Sequence, residues 1–190
     1  MENIREYIEK TVAISDEDWQ LFSSKLKNRV FKKKSTILDV GETENYISFI
    51  ESGIARFLIP KEDKDKDITF GFCFKNEFVS AYDSFLTQKP SLYKLQALSD
   101  ISMWSISYND LQEVYEKSFA GNVIGRLSSE RLFLIKSKRE QSLLNHTAEE
   151  RYLKLFTERP NLIKEIPLKY VASYIGVTAQ ALSRIRKRIS

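Results

Sequence analysis

The stretch Leu168 to Ile189, LKYVASYIGVTAQALSRIRKRI, constrains this chain more than any other segment. Its apolar residues fall at helical spacing in two short blocks separated by a glycine. The first block, Leu168, Val171, Ala172 and Ile175, predicts a helix over Leu168 to Tyr174. Gly176 then supplies the tolerance of positive φ that a sharp turn requires. A second helix is predicted to begin near Thr178 and to bury Leu182 and Ile185, with Val177 helping to lock it onto the first. Two short helices that cross steeply need a small side chain where they meet, and Ala172 provides one. The pattern predicts a helix-turn-helix.

Burying Leu182 and Ile185 leaves Thr178, Ala179, Gln180, Ser183, Arg184 and Lys187 on the open face of the second helix. The N-terminal part of such a face is what enters the DNA major groove. Arg184 has the fork that pairs with both acceptors of guanine, and Gln180 has the amide that pairs with adenine. Arg186, Lys187 and Arg188, with Lys169 on the first helix, suit phosphates, which give affinity and position rather than sequence choice. Charge placement agrees. Pro167 to Ser190 carries five bases and no acid, whereas the remaining 166 residues hold 25 bases against 26 acids. The whole positive excess sits on this segment, which suggests a polyanionic partner, double-stranded DNA.

The rest of the chain divides by periodicity. Residues 1–28 read as helical, with Ile4, Tyr7 and Ile8, then Trp19, Phe22 and Leu26, at three- and four-residue spacing and Ser15 as a helix cap before Asp16, Glu17 and Asp18. Residues 29–106 read as short strands: RVFKKK, TILDV, YISFIE, GIARFLIP, ITFGFCF, LYKLQAL and ISMWSI. Strands of this length and spacing suggest a sandwich, roll or barrel. The charged run KEDKDKD, residues 61–67, reads as an exposed hairpin loop. Residues 107–145 turn helical, with Phe119, Val123, Leu127 and Leu134 on one face and Ile124 and Ile135 widening it. Such a stripe either covers the β-domain or pairs with another chain; lacking a strict heptad, it favours burial over a coiled coil. Thr147 is placed to cap a last group of helices, with Glu149 and Glu150 in the first turn, and Arg159-Pro160 ends that first helix.

Composition closes off other chemistries. No run approaches the apolar length of a membrane span, and the charged N-terminus lacks the apolar stretch of a secretory signal. A single cysteine, Cys73, makes no disulfide within the chain, so a reducing cytoplasm is expected. One histidine, His146, in the polar stretch LLNHTAEER, reads as a surface or helix-end residue. One His and one Cys are too few for a structural zinc site or a four-cysteine iron–sulfur cluster. A metal-dependent enzyme on a β-roll would need His and carboxylate ligands on its strands, and no His lies in residues 1–145. No catalytic residue, metal or cofactor is expected.

Two segments resemble a known family. FKKKSTILDVGETENYISFIESGIARFLI, residues 31–59, looks like the opening of a cyclic-nucleotide-binding β-roll, with Gly41 and Gly53 at turn positions. RYLKLFTERPNLIKEIPLKYVASYIGVTAQALSRIRKRI, residues 151–189, looks like the DNA-binding domain of Crp/Fnr-type bacterial regulators, especially of the Bacteroidetes branch, where an LSRIRK ending is typical. The resemblance implies an α+β chain in three parts. These are an N-terminal double-stranded β-helix or jelly-roll sensor over residues 1–115, a central dimerisation helix over 116–145, and a C-terminal winged helix-turn-helix domain over 146–190. It implies a homodimer on a two-fold symmetric operator, paired through Phe119, Val123, Leu127 and Leu134, with a small-molecule effector and RNA polymerase as further partners. The family's guanine-reading arginine falls on Arg184, and its acidic base contact falls on Gln180, which implies a different operator preference.

The effector positions depart from the family. A Gly-Glu pair for ribose and an Arg-Ser pair for the cyclic phosphate fall here on Ser80-Ala81 and Ser91-Leu92. The ribose acceptor and the phosphate cation are both missing, and a buried phosphate without its arginine is costly. Lys89 or Lys94 could substitute, without the bidentate fork, and Lys138 and Arg139 on the central helix are further candidate cations. Cyclic AMP is therefore not the expected effector; another small molecule, or none, is. Little sequence follows Arg188, so a wing strand is expected upstream of the helix pair, near Ile163 to Ile166. The competing reading is a ligand-binding module that has lost DNA function. That reading predicts loss of Arg184 and the basic helix, and both are present.

Overall fold

The computed structural model describes residues 2–189, the side chain of Asp65 excepted. It is α+β, with an antiparallel β-sandwich and a C-terminal helical region, and it forms two compact units. The first comprises residues 1–58 and 72–130, the second residues 59–71 and 131–190.

In the first unit, helices α1 (Glu2–Glu9) and α2 (Asp16–Ser24) precede the strands. Ser15 caps α2 by accepting the Asp18 N–H, and Arg5 bridges Glu9 at 2.8 Å and Asp16 at 2.6 Å. The strands are β1 (Lys27–Phe31), β2 (Thr36–Leu38), β3 (Tyr46–Ser52), β4 (Ala55–Ile59), β5 (Ile68–Cys73), β6 (Phe78–Val79), β7 (Lys94–Ala97) and β8 (Ile101–Ser107), with Ile59 and residues 68–71 counted in the second unit. They form two four-stranded sheets, β1-β8-β3-β6 and β2-β7-β4-β5. The helical reading of residues 1–28 runs past the end of α2 at Ser24, and Lys27 and Asn28 belong to β1, pairing with Ser105 and Trp104 of β8.

Alternation along the strands sends one face inward and the other toward the helices. Ile50, Ala55, Leu95, Ala97, Ile101 and Met103 pack between the sheets. Phe49 and Ile106 point the other way and form a second cluster with Ile4, Ile8 and Phe22, in which the Tyr7 ring meets Phe49 and Phe78 edge-on. Gly53 (φ +98°) turns β3 into β4, and a Cβ there would run into the Asp100 carbonyl. A short helix, α3 (Tyr82–Thr87), which the sequence reading did not anticipate, sits between β6 and β7.

The expected helical stretch after residue 107 is two helices, α4 (Tyr108–Lys117) and α5 (Phe119–Asn145), broken where Ser118 is extended. The stripe predicted to be buried is largely open in this chain. Phe119 is 84% exposed and Leu134 66%, while Val123 and Leu127 are half-buried. Ile124 alone of the widened face packs against the core formed with α1 and α2.

The second unit contains α6 (Ala148–Glu158), α7 (Pro160–Glu165), α8 (Leu168–Tyr174) and α9 (Ala179–Ile189). Thr147 and Glu150 form a reciprocal capping box at the start of α6. Residues 160–165 are helical, so no strand forms near Ile163 to Ile166 as expected; Pro160 at the first helical position favours this turn of helix, and Leu162 and Ile166 are buried. The KEDKDKD run is a hairpin between β4 and β5 with one 3-10 turn, Lys64–Lys66. Its described side chains are exposed except that of Asp67, which is half-buried, and Ser173 Oγ donates to Asp67 O.

Candidate nucleic-acid interface

The pair α8 and α9 follows from a few local choices. Val171 and Ala172 are fully buried, and Ala172 leaves room for α9 to approach. Beyond Tyr174 the chain turns through Gly176 at φ +80°. The Gly176 N–H donates to Ser173 O and the Val177 N–H to Ala172 O, each at 3.0 Å. This pair of bonds closes the end of α8 in the Schellman arrangement, which needs the left-handed residue that glycine provides. Thr178 then caps α9: its Oγ1 accepts the Ala181 N–H at 3.1 Å. Leu182 and Ile185 are buried beneath α9, while Leu168, expected to pack with them, is 42% exposed.

The opposite face of α9 is open. Thr178, Ala179, Gln180, Ser183, Arg184, Arg186, Lys187 and Arg188 are exposed, as is Lys169 on α8. Gln180, Ser183, Arg184 and Lys187 recur at three- and four-residue spacing and share one face. Among the described residues, none of these four side chains has a hydrogen-bond or ion-pair partner. Thr178 differs, because its oxygen accepts from α9 while its hydroxyl proton stays available to donate. Arg188 differs more: it pairs with Glu149 at the start of α6. That pair lies on a cleft of about 430 Å³ lined by Thr147, Ala148, Glu149, Glu150, Leu153, Ile185 and Arg188.

The predicted effector residues lie around α3, and their polar groups are engaged within the chain. Ser80 Oγ donates to Tyr46 O at 2.9 Å. Ala81 is buried, and its N–H donates to Glu44 Oε2 at 3.3 Å. Ser91 is buried; its hydroxyl donates to Tyr93 O at 2.8 Å, and its backbone bonds both Gly41 and Glu42. Leu92 is 79% exposed. Lys94 bridges Asp39 at 2.9 Å and holds that carboxyl below its ordinary range. Lys89 is exposed, and its carbonyl accepts from Ser84. The cations suggested on the central helix have other partners as well: Lys138 bridges Glu158 at 3.0 Å, and Arg139 donates to Tyr174 O.

The sequence reading did not single out Glu44, which sits in the polar run GETEN. It is 5% exposed, accepts from Tyr46 N–H at 3.0 Å as well as from Ala81, and burial pushes its carboxyl above the ordinary range. Tyr93 is pushed up by burial and by its bond to Asp83. Arg29, half-buried, has its guanidinium 4.3 Å from the Tyr46 ring centre and 5.0 Å from that of Phe31. Alternation on β1 could have placed Arg29 inward, but nothing local marks Glu44, whose carboxylate accepts from Ala81, 37 residues away.

Among the described residues, no group of three or more His, Cys, Asp or Glu could hold a metal ion, and no helix is long and apolar enough to cross a membrane. Residues 28–118 match the family model of the cyclic nucleotide-binding domain. No curated protein matches the chain. Solved structures of similar fold include the c-di-GMP-responsive global regulator CLP of Xanthomonas campestris, 17% identical, TM-score 0.68, covering 92% of this chain and 91% of that one. FixK2 of Bradyrhizobium japonicum is 14% identical at TM-score 0.70 over 86% of this chain and 84% of its own. A CooA mutant of Carboxydothermus hydrogenoformans is 13% identical at TM-score 0.67 over 94% and 80%. At these identities the likeness is one of fold, and it spans both units.

Proposed function

We propose that this chain is a sequence-specific DNA-binding transcription regulator of the Crp/Fnr type, acting in the cytoplasm without enzymatic activity. In this reading α8 and α9 are a helix-turn-helix, α9 lies in the major groove, and Arg184 and Gln180 read bases while Arg186, Lys187, Arg188 and Lys169 hold phosphates. The observation that carries it is the open face of α9, with Gln180, Ser183, Arg184 and Lys187 at helical spacing opposite buried Leu182 and Ile185. The likeness in fold to a global regulator of virulence gene expression supports it. Two copies pair along α5, which carries Phe119, Phe133, Leu134 and Leu144 at 84%, 71%, 66% and 78% exposure, and the pair meets a two-fold symmetric operator and RNA polymerase.

The β-sandwich takes a small effector, or acts without one. That effector is not cyclic AMP, because Ser80, Ala81 and Ser91 use their polar groups within the chain and supply no arginine. Calorimetry with cyclic AMP is expected to give no binding at micromolar ligand; a micromolar dissociation constant overturns this part of the reading. Binding to random duplex DNA at stepped salt, read with light scattering, tests the whole. Expected are a dimer and an affinity that falls steeply with salt. A monomer that ignores duplex at low salt favours a ligand-binding module without DNA function.

A further inference from the structure

The last carbonyls of a helix lack intrahelical donors and carry the negative end of its dipole. At the end of α8 three consecutive residues are each held by a different element of the same unit. Ser173 Oγ donates to Asp67 O at 3.0 Å and accepts the Thr69 N–H at 2.8 Å, both on the β4–β5 hairpin. Arg139 of α5 donates Nη2 to Tyr174 O at 2.8 Å, and its guanidinium lies 4.0 Å from the centre of the Tyr174 ring. Arg151 of α6 donates Nε to Ile175 O at 2.9 Å, and its Nη1 reaches the carbonyls of His146 and Leu143 at the end of α5.

We infer that Arg139 and Arg151 are positioning residues for α9, which fix the angle at which the recognition face is presented and do not touch DNA themselves. The inference rests on the DNA-binding reading above. Its physical basis is leverage. The turn at Gly176 is closed by bonds within residues 172–177, which set α9 against α8. They do nothing to set the α8–α9 pair against α5 and α6. Arg139 ties Tyr174 to α5, and Arg151 ties Ile175 to both α5 and α6, each at the hinge end of α8. A planar guanidinium serves here because it bonds a carbonyl while stacking on a ring or bonding a second carbonyl; an ammonium on a flexible stem cannot do both in a fixed plane. Two arginines beside a DNA-reading helix would ordinarily be counted among its phosphate contacts, and their donors are instead directed at protein carbonyls.

The test uses the full chain and the duplex that the wild-type protein selects from a random pool. Arg139→Lys and Arg151→Lys are each expected to bind the selected duplex about tenfold more weakly, with affinity for random duplex and the slope of log K against log salt unchanged. Amide hydrogens of residues 176–178 are expected to exchange faster than in the wild type. A slope reduced by about one unit in Arg139→Gln or Arg151→Gln, which remove the charge, identifies a phosphate contact and overturns the assignment. Wild-type affinity for the selected duplex, or unchanged exchange at residues 176–178, overturns it as well. The two lysine substitutions keep the charge and most of the stem, so folding is preserved; Tyr174→Leu, which removes the ring under Arg139 and leaves both arginines, is expected to lose operator preference in the same way. If the wild type binds no duplex, the DNA-binding reading fails, and the exchange measurement still decides whether the two arginines hold the turn.

Discussion

The open face of α9 and the end of the sandwich around α3 are both polar, and they differ in what their polar groups already hold. Gln180, Ser183, Arg184 and Lys187 are exposed, and their side chains make no hydrogen bond or ion pair among the described residues. Around α3, the hydroxyls of Ser80 and Ser91, the N–H of Ala81 and the carboxylate of Glu44 bond one another or the backbone. A site that waits for a macromolecule leaves its donors in water at little cost. A site that folds shut must satisfy its buried groups internally, because each one left unpaired costs about 1–3 kcal/mol. On the DNA-binding reading proposed above, the contrast places this chain's recognition chemistry on α9. Ser80, Ala81 and Ser91, proposed from the resemblance as effector positions, spend their polar groups on internal structure.

The first way to break the contrast is to remove what creates the open face. Leu182→Ala deletes a side chain only 1% exposed between α9 and α8. It is expected to destabilise the helical unit by about 2–5 kcal/mol, the range for a buried leucine truncated to leave a cavity. Denaturant unfolding followed by amide exchange in residues 148–189 measures this; a loss under about 0.5 kcal/mol, the scatter of surface substitutions, shows that α9 is held by something other than its apolar face. Next in size is Arg184→Ala. It is expected to weaken binding to the selected operator by about 1–3 kcal/mol and to blur preference for one guanine per half-site. Competition between operator and mutated-guanine duplexes reads it. Equal losses on specific and random DNA reduce Arg184 to one more phosphate contact.

How far these features were legible in the sequence depended on the range of the interactions behind them. The caps at Ser15 and Thr147 were legible because the capping oxygen and its N–H are three residues apart. The bounds of α8 were legible for the same reason: Gly176 closes the helix through bonds spanning only residues 172–177. The composition of the open face followed from helical periodicity once Leu182 and Ile185 were assigned inward. By contrast, α3 is steadied by Ala81 and Ser84 bonding Glu44 across 37 and 40 residues, and no local pattern announces that. The two-residue strand β6 is set by pairing with Ser48 and Phe49, and its own sequence is too short to show alternation. The wing expected near Ile163 failed because isoleucine's strand preference yielded to Pro160 and to burial of Leu162. The roles of Arg139 and Arg151 were hidden because their acceptors are backbone carbonyls 35 and 24 residues away.

A smaller effect sharpens the sandwich side of the comparison. Burial raises the Glu44 carboxyl above its unfolded value, so between the two values the folded chain binds more protons than the unfolded one. Stability then falls as pH rises through that window, and the contribution is fully present below the unfolded value. Glu113 works in the opposite sense: hydrogen bonds from Lys117 and Lys25 hold it at about 2, so what it adds is lost as pH falls toward that value. Glu44→Gln removes the first slope and leaves the second. The difference in stability between variant and wild type is expected to shift in favour of the variant as pH rises above the ordinary carboxylate range. A difference independent of pH shows that Glu44 is as well satisfied ionised as protonated.

The smallest effect concerns the basic end of α9, where the two sides of the comparison meet in one residue. Arg188 lies beyond the face that carries Gln180 and Arg184, and in the free chain it already has a partner, Glu149. Exposed ion pairs are worth about 0–1 kcal/mol, so the pair is no obstacle to a phosphate, but it must be exchanged when DNA arrives. Arg188→Ala is therefore expected to weaken specific and random duplexes equally and to lower the salt slope by about one unit. Glu149→Gln supplies the control, since it frees the arginine without touching its charge. It is expected to raise affinity for both duplexes by a few-fold at most, with the slope kept. If Arg188→Ala leaves the slope at the wild-type value, the ion pair with Glu149 survives on DNA. Arg188 then belongs with Arg139 and Arg151 among the residues that hold the helices together, and the phosphate contacts end at Lys187.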